Sequence, residues 1–313
     1  MFQAYRNLDL PDEEIKESCV SEKIGFIGVG KMGGGMAACL IKAGFSVTVC
    51  DVSPAATASL QAAGATVVAT PKEVADVAVI VFACLPSPKV SEEVAAQVAQ
   101  GQAIRVYIET STIGTDCMKT VQVALAPARI ALLDAPISGG PVAASAGTLS
   151  TIISGAQADF TRVRPAIDTF AKHIFFLGGE PGQAQIAKLI NNMLSMTGRA
   201  ATFEGMVMGM RVGIDPKLLA DFINVSTGRN LATLDDFPTR LLHVFETGGK
   251  KSIGVKDTEL YLQEAERLQV PVWSTPNVLN LFIEGQAYDA AAPEKSRLGA
   301  WVEGLKAIRK AQK

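Results

Sequence analysis

The stretch KIGFIGVGKMGGGMAACLIKAG, residues 23–44, decides the fold. It opens on an apolar run of strand length, turns through glycines, and continues as a helix-length segment rich in Ala, Met, Leu and Ile. Gly28, Gly30 and Gly33 stand as GxGxxG at the junction. In a strand–turn–helix unit these glycines have separate tasks. Gly28 permits the tight turn, Gly30 admits a pyrophosphate against the backbone, and Gly33 lets helix and strand pack closely. The helix then offers its free amides and positive dipole end to the phosphates. Gly28, Val29, Gly30, Lys31, Met32 and Gly33 therefore form the expected cofactor loop.

Six more apolar runs of strand length follow: SVTVCD, VAVIVFA, RVYIET, IALLDA, STIISG and HIFFLG. Helix-length stretches such as AATASLQAA and SEEVAAQVAQ fall between them. The alternation predicts a parallel, doubly wound sheet, covered on both faces because its strands are almost continuously apolar. After LGGEPG (177–182) the strands stop and the chain reads as helix, broken at GIDP (213–216), STGRN (226–230), GGKK (248–251) and VPVW (270–273). The predicted class is α/β, with an N-terminal extension at 1–22 and a Rossmann-type domain at 23–181. An all-helical C-terminal domain for substrate and self-association follows at 182–313, joined by a long interdomain helix.

Composition narrows the function. Of 313 residues, 48% are hydrophobic and 19% charged, the profile of a well-packed globular chain. A net charge of −2 leaves no basic field for nucleic acid or an anionic membrane surface. No apolar run is long enough to span a bilayer. The first twenty residues carry Asp9, Asp12, Glu13, Glu14 and Glu17 and no apolar signal core. The five cysteines lack CxxC spacing, so a reduced, cytoplasmic protein is expected. With only His173 and His243 beside them, no metal site is expected either.

The second strand ends in Asp51, 18 residues beyond Gly33, close to the roughly 20 expected of a ribose-binding acid. A carboxylate there accepts from the ribose hydroxyls and repels a 2′-phosphate. The next residues, VSPAATASL, supply no Arg or Lys for that phosphate, so NAD is preferred over NADP. Asp51 acting only as a cap for the next helix is the competing reading.

In QAQIAKLINNMLSM (183–196) a lysine interrupts an apolar helix. Lys188 and Asn192 are four residues apart, one turn along a helix face, so one substrate hydroxyl could meet both. Oxidising an alcohol by hydride loss needs a base for the hydroxyl proton, and burial lowers a lysine's pKa towards that role. Equally, Lys188 could snorkel to water from a core helix. At SGG, 138–140, small residues after a strand could turn their amides to an anion, or simply make a turn.

Taken in order, these motifs resemble the β-hydroxyacid dehydrogenases over about residues 23–300. GFIGVGKMGGGMA looks like the family's cofactor loop, and LPSP (85–88) and ETSTIG (109–114) like its nicotinamide-side loops. DAPISGGPVAASAGTLS (134–150) resembles its substrate loop, GQAQIAKLINN (182–192) its catalytic helix, and Lys256–Asp257 a late cofactor and substrate contact. The resemblance implies Lys188 as acid/base, Asn192 orienting the substrate, and Ser138, Gly139 and Gly140 on the carboxylate. It places Leu85, Pro86, Thr112 and Lys256 on the cofactor, with Asp257 supporting the substrate. Relatives that decarboxylate phosphogluconate carry a histidine where this chain has Asn191, so that reaction is not expected.

The chain departs from the family's common pattern at Leu231, where many members have tryptophan, and at DDFP (235–238). Arg229 and Asn230 beside it suit either a more polar substrate or a helix-ending turn. The expected protein is an NAD-dependent 3-hydroxyacid dehydrogenase with a small hydroxy-acid substrate, bound in the cleft between domains. Its alternatives are an NADPH-linked semialdehyde reductase and a non-catalytic NAD-binding scaffold. The Met- and Ala-rich long helix points to a homodimer or homotetramer.

Overall fold

The computed structural model describes residues 22–236 and 253–286. The N-terminal extension before Glu22, His243, the GGKK turn, the side chains of DDFP and the chain after residue 286 lie outside them. The chain divides into two compact units, the first ending at Lys188 and the second starting at Leu189.

In the first unit, β1 (Ile24–Ile27) leads into α1 (Gly33–Lys42), β2 (Val47–Cys50), α2 (Pro54–Ala62) and β3 (Thr66–Val67). There follow α3 (Pro71–Val77), β4 (Ile80–Ala83), α4 (Pro88–Val98), β5 (Val106–Glu109), α5 (Gly114–Leu125) and β6 (Ala131–Asp134). These six strands run parallel in the order 3-2-1-4-5-6, that of a doubly wound dinucleotide fold.

Side chains alternate along the strands. Phe26, Phe82, Ile108 and Leu133 enter one core with Met36 and Leu40 of α1. Ile27, Val81, Tyr107 and Leu132 enter the other, with Val94 of α4 and Met118 of α5. Each buried strand thus feeds two layers, as its period-2 geometry dictates.

The expected parallel, doubly wound sheet is present through β6, and one antiparallel strand enters beyond it. The next elements are β7 (Ile137–Ser138), α6 (Gly140–Ala146), β8 (Leu149–Ser154), α7 (Gln157–Ile167) and β9 (Ala171–Gly178). Strand β8 is antiparallel to both β6 and β7, pairing Asp134 with Ser154, Ile137 with Thr151 and Ser138 with Ser150 in one register. Strand β7 therefore prolongs the line of β6 along β8. The cause is chain length: only ten residues separate Ser138 from Leu149, short of the dozen or more that a parallel crossover needs. The α7 crossover is long enough, and β9 returns parallel to β8.

The remaining elements are helical: α8 (Gln183–Arg211), α9 (Pro216–Asn224), a π-turn at Ala232–Asp236, α10 (Ile253–Arg267) and α11 (Thr275–Gln286). In the second unit Met193, Met196 and Ala200 of α8 share a core with Val255 of α10 and with Val278 and Phe282 of α11. Helix α9 starts where Asp215 caps it, its Oδ1 accepting from the Leu218 amide at 2.8 Å, with Pro216 preset for the first turn.

Candidate active site

The glycine loop sits between β1 and α1 with little room to spare. A Cβ at Gly28 would run into the Cys84 carbonyl oxygen, and its φ of +81° already favours glycine. A Cβ at Gly33 would run into the Gly28 carbonyl oxygen and crowd the Phe26 ring, so helix and strand touch through it. At Gly30 the same probe meets nothing within 4 Å. The backbone is tight at the first and third glycines and open at the second, which fits a pyrophosphate laid against Gly30. Val29 and Met32 pack inward while Lys31 is exposed.

Asp51 follows β2 and is held from two sides. Its Oδ2 accepts from the Val29 amide at 2.8 Å and its Oδ1 from the Ser53 amide at 2.8 Å. The carboxylate thus ties the cofactor loop to the entrance of α2, while the cap of that helix falls to Ser53. Next in the sheet, the Leu85 amide donates to Ser111 Oγ at 2.7 Å, joining the loops after β4 and β5, with Pro86 exposed beside it. Thr112 lies on the second of those loops, half-buried.

A buried polar cluster that the sequence reading did not single out stands at the ends of β5 and β6. Glu109 and Asp134 are register partners on neighbouring strands, and both are fully buried. Asp134 Oδ2 accepts from the Gly182 amide at 2.9 Å and the Gln185 amide at 3.0 Å, so a strand carboxylate caps the start of α8. It also accepts from Ser154 Oγ at 3.3 Å, and that hydroxyl in turn accepts from the Ala184 amide at 3.1 Å.

Gln185 fills the centre of the cluster. Its Oε1 accepts from the Ile113 amide at 2.8 Å and the Gly114 amide at 3.1 Å. Its Nε2 donates to the Ser111 carbonyl at 3.1 Å and to Asp134 Oδ1 at 2.6 Å. All four bonding positions of the amide are used.

Burial raises the Asp134 carboxyl to about 6, against the pull of hydrogen bonds from Gln185, Gly182 and Ser154. Burial likewise raises Glu109 to about 7; its bonds from Ser111 oppose the rise and the neighbouring Asp134 charge adds to it. The signal available in the sequence was that two apolar strands, RVYIET and IALLDA, each end in an acid at the same place.

Lys188 closes the first unit, buried at 9% exposure, three residues beyond Gln185 on the same helix. Strand β7 carries Ser138, and Gly139 and Gly140 follow with φ of +135° and +75°, opening α6. The first unit therefore holds the glycine loop, Asp51, Leu85, Pro86, Thr112, Ser138–Gly140 and Lys188.

The second unit holds the other three. Asn192 Nδ2 donates to Asp257 Oδ2 at 2.7 Å, and the Lys256 ammonium stands 3.0 Å from Asp257 Oδ1. Asp257 is buried, so these partners offset the cost of its charge. Asn230 takes the turn reading. Its Oδ1 accepts from the Ala232 and Thr233 amides at 2.9 and 3.3 Å, and its Nδ2 donates to Thr202 Oγ1 at 2.9 Å. That side chain closes the turn after α9, while Arg229 is exposed.

Comparison with known proteins agrees with this anatomy. Residues 23–179 match the family of the NAD binding domain of 6-phosphogluconate dehydrogenase. A second, NAD-binding of NADP-dependent 3-hydroxyisobutyrate dehydrogenase, matches residues 182–299. The 3-hydroxyisobutyrate dehydrogenase of Pseudomonas aeruginosa is 37% identical over 213 residues, 67% of this chain and 71% of that protein. The 2-(hydroxymethyl)glutarate dehydrogenase of Eubacterium barkeri is 30% identical over 273 residues, 85% of this chain and 90% of its own. Among solved structures, the Mycobacterium tuberculosis 3-hydroxyisobutyrate dehydrogenase with L-serine superposes with a TM-score of 0.76 at 26% identity, covering 91% of this chain and 99% of that one. The chain belongs to the β-hydroxyacid dehydrogenase family of NAD(P)-dependent 3-hydroxyacid dehydrogenases.

Proposed function

We propose that the chain oxidises a small 3-hydroxy acid with NAD, or reduces the matching semialdehyde or keto acid, and that Lys188 moves the proton. The observation that carries this reading is the setting of Lys188. It is a buried amine one turn beyond Gln185, whose side chain bonds the loop bearing Thr112 and the strand that leads to Ser138.

Bound NAD supplies the hydride acceptor. In oxidation the neutral Lys188 amine takes the hydroxyl proton as the carbon loses hydride and becomes a carbonyl; in reduction the ammonium returns that proton. The resemblance to the family gives Asn192 the task of steadying the substrate oxygen; within the second unit Asp257 orients its amide. Ser138 and the amides of Gly139 and Gly140 hold the carboxylate, with Thr112 beside the nicotinamide half; the resemblance to the family gives Lys256 a cofactor contact as well.

The substrates named for the relatives, 3-hydroxyisobutyrate and 2-(hydroxymethyl)glutarate, and the L-serine of the solved structure share a carboxylate and a hydroxyl on the β carbon. This chain's substrate belongs to that class. Nicotinamide absorbance followed with such a panel is expected to give turnover for at least one member; no turnover, despite measured cofactor binding, would sink the reading.

The preference for NAD rests on Asp51, whose charge stands at the end of β2 with no cation on the residues that follow. Replacing it, Asp51→Ala, is expected to weaken NAD by about 10- to 100-fold, since hydrogen bonds to a carboxylate contribute roughly 1.5–3 kcal/mol. NADP should weaken much less, and steady-state kinetics with both cofactors reads the difference. Equal losses would mean that Asp51 only supports the loop. Self-association belongs to the same reading and is supported by one solvent-facing stripe of α8. Ile190, Leu194 and Met208 project from it, Leu194 at 70% and Met208 at 72% exposure.

A further inference from the structure

We infer that Gln185 is a positioning residue of the reaction: one buried amide that locks the nicotinamide-side loop, the strand feeding the carboxylate loop and the Lys188 helix into a fixed mutual geometry. The inference rests on the function proposed above and extends it to a residue that touches neither substrate nor cofactor.

Three observations carry it. The first is completeness. The Gln185 side chain is fully buried and spends all its bonding capacity on four groups, the Ile113 and Gly114 amides, the Ser111 carbonyl and Asp134 Oδ1. A buried glutamine kept only for packing would carry a desolvation cost that an apolar side chain of the same size avoids. The second is reach. These partners lie 51 to 74 residues away in sequence, on the β5–α5 loop and at the end of β6, so a single side chain spans the loop with Thr112 and the strand that runs on to Ser138. The third is address. Lys188 follows Gln185 by three residues in a continuous helix, so whatever fixes Gln185 fixes the root of the lysine side chain.

Fixed geometry matters here because hydride and proton must leave one substrate carbon and its oxygen together. Small displacements of the base relative to the nicotinamide-side loop cost rate steeply while leaving ground-state binding largely intact. A residue that merely stabilises the fold has no reason to separate those two effects.

The orientation of the amide is fixed by its surroundings. Two backbone amides demand an acceptor on one side, and a carboxylate and a carbonyl demand a donor on the other. Gln185→Met keeps the length and removes every bond. Gln185→Glu keeps the shape and the acceptor for Ile113 and Gly114, but replaces the donor with an oxygen facing Asp134 and the Ser111 carbonyl.

The experiment takes wild type, Gln185→Met and Gln185→Glu through three readouts: kcat and KM for the best 3-hydroxy acid, melting temperature, and hydrogen exchange at the Ile113 and Gly114 amides. Both variants are expected to lose about 10- to 100-fold in kcat, with KM for acid and cofactor within about 3-fold of wild type. Exchange at the two amides should accelerate in the Met variant and much less in the Glu variant, which still has an acceptor for them.

Unchanged kcat in either folded variant would overturn the inference. So would a loss shared equally by kcat and KM in step with the melting temperature, the mark of a purely structural role. If Gln185→Met does not fold, Gln185→Glu decides the matter alone. A wild type inactive on every 3-hydroxy acid would remove the proposed function and the positioning role with it, whereas an active wild type with indifferent variants removes only the role of Gln185.

Discussion

Lys188→Ala is expected to lower turnover of a 3-hydroxy acid by about 10²–10⁴-fold, the range that a positioned general acid or base contributes. Cofactor affinity should stay near wild type, because the glycine loop and Asp51 make their own contacts in β1, α1 and β2. Alanine is well suited to a helix interior, so α8 should persist. Lys188→Met serves as the volume-matched control, since a methionine keeps the buried stem and removes only the amine. Both variants should fail alike in kcat and bind NAD alike by fluorescence titration. If Lys188→Met turned over within a few-fold of wild type, the amine would be a snorkelling core lysine and the proton would have to go elsewhere.

The legible parts of this chain were those whose pattern is local. The β1 glycine loop could be assigned glycine by glycine because strand, turn and helix follow within twenty residues, and each glycine meets the steric situation its place implies. The strands of both faces were visible because buried parallel strands are short, apolar and spaced by helices. Strand direction was not visible in the same way: STIISG reads like its parallel neighbours. Its reversal was encoded in the ten-residue connection before it, a length argument rather than a composition one. Strands β3 and β7, two residues each, are too short for any periodicity to form.

The polar cluster was illegible for a different reason. In QAQIAKLINN the eye stops at the charged residue, and Gln185 looks like polar filler on an apolar helix. Its partners are supplied by folding: the β5–α5 loop and the end of β6 are distant in sequence and adjacent only because strands 5 and 6 pair in register. Asn230 is the converse case. Sequence left it open between substrate contact and turn; two local bonds place it in the turn and a third ties that turn to Thr202 of α8. Specificity in this chain is therefore to be sought at side chains other than that amide.

The second large effect expected concerns Asp134, and it depends on pH. Asp134→Ala strips the acceptor from the Gly182 and Gln185 amides, from Gln185 Nε2 and from Ser154 Oγ. Buried donors left without a partner cost about 1–3 kcal/mol each, partly relieved by relaxation, so a loss of about 3–5 kcal/mol near neutral pH is expected. The folded carboxyl, raised by burial to about 6, holds its proton more tightly than the ordinary 3.8 of an exposed aspartate. Between those values the folded state binds more protons than the unfolded one at this carboxyl, so its contribution to wild-type stability is greatest at low pH and is lost as pH rises through about 6. Glu109, raised to about 7, adds a fall in the same direction.

The protonated Asp134 still offers an oxygen to the α8 amides and no longer bears the cost of a buried charge. The alanine variant has no such gain at low pH. Its deficit relative to wild type should therefore be larger at about pH 5 than at about pH 8, with the slope between them flattened to what Glu109 retains. Urea unfolding at those two pH values tests this directly. An equal deficit at both would mean that Asp134 stays ionised throughout, and that the cap on the Lys188 helix is a permanent charge rather than a titrating one.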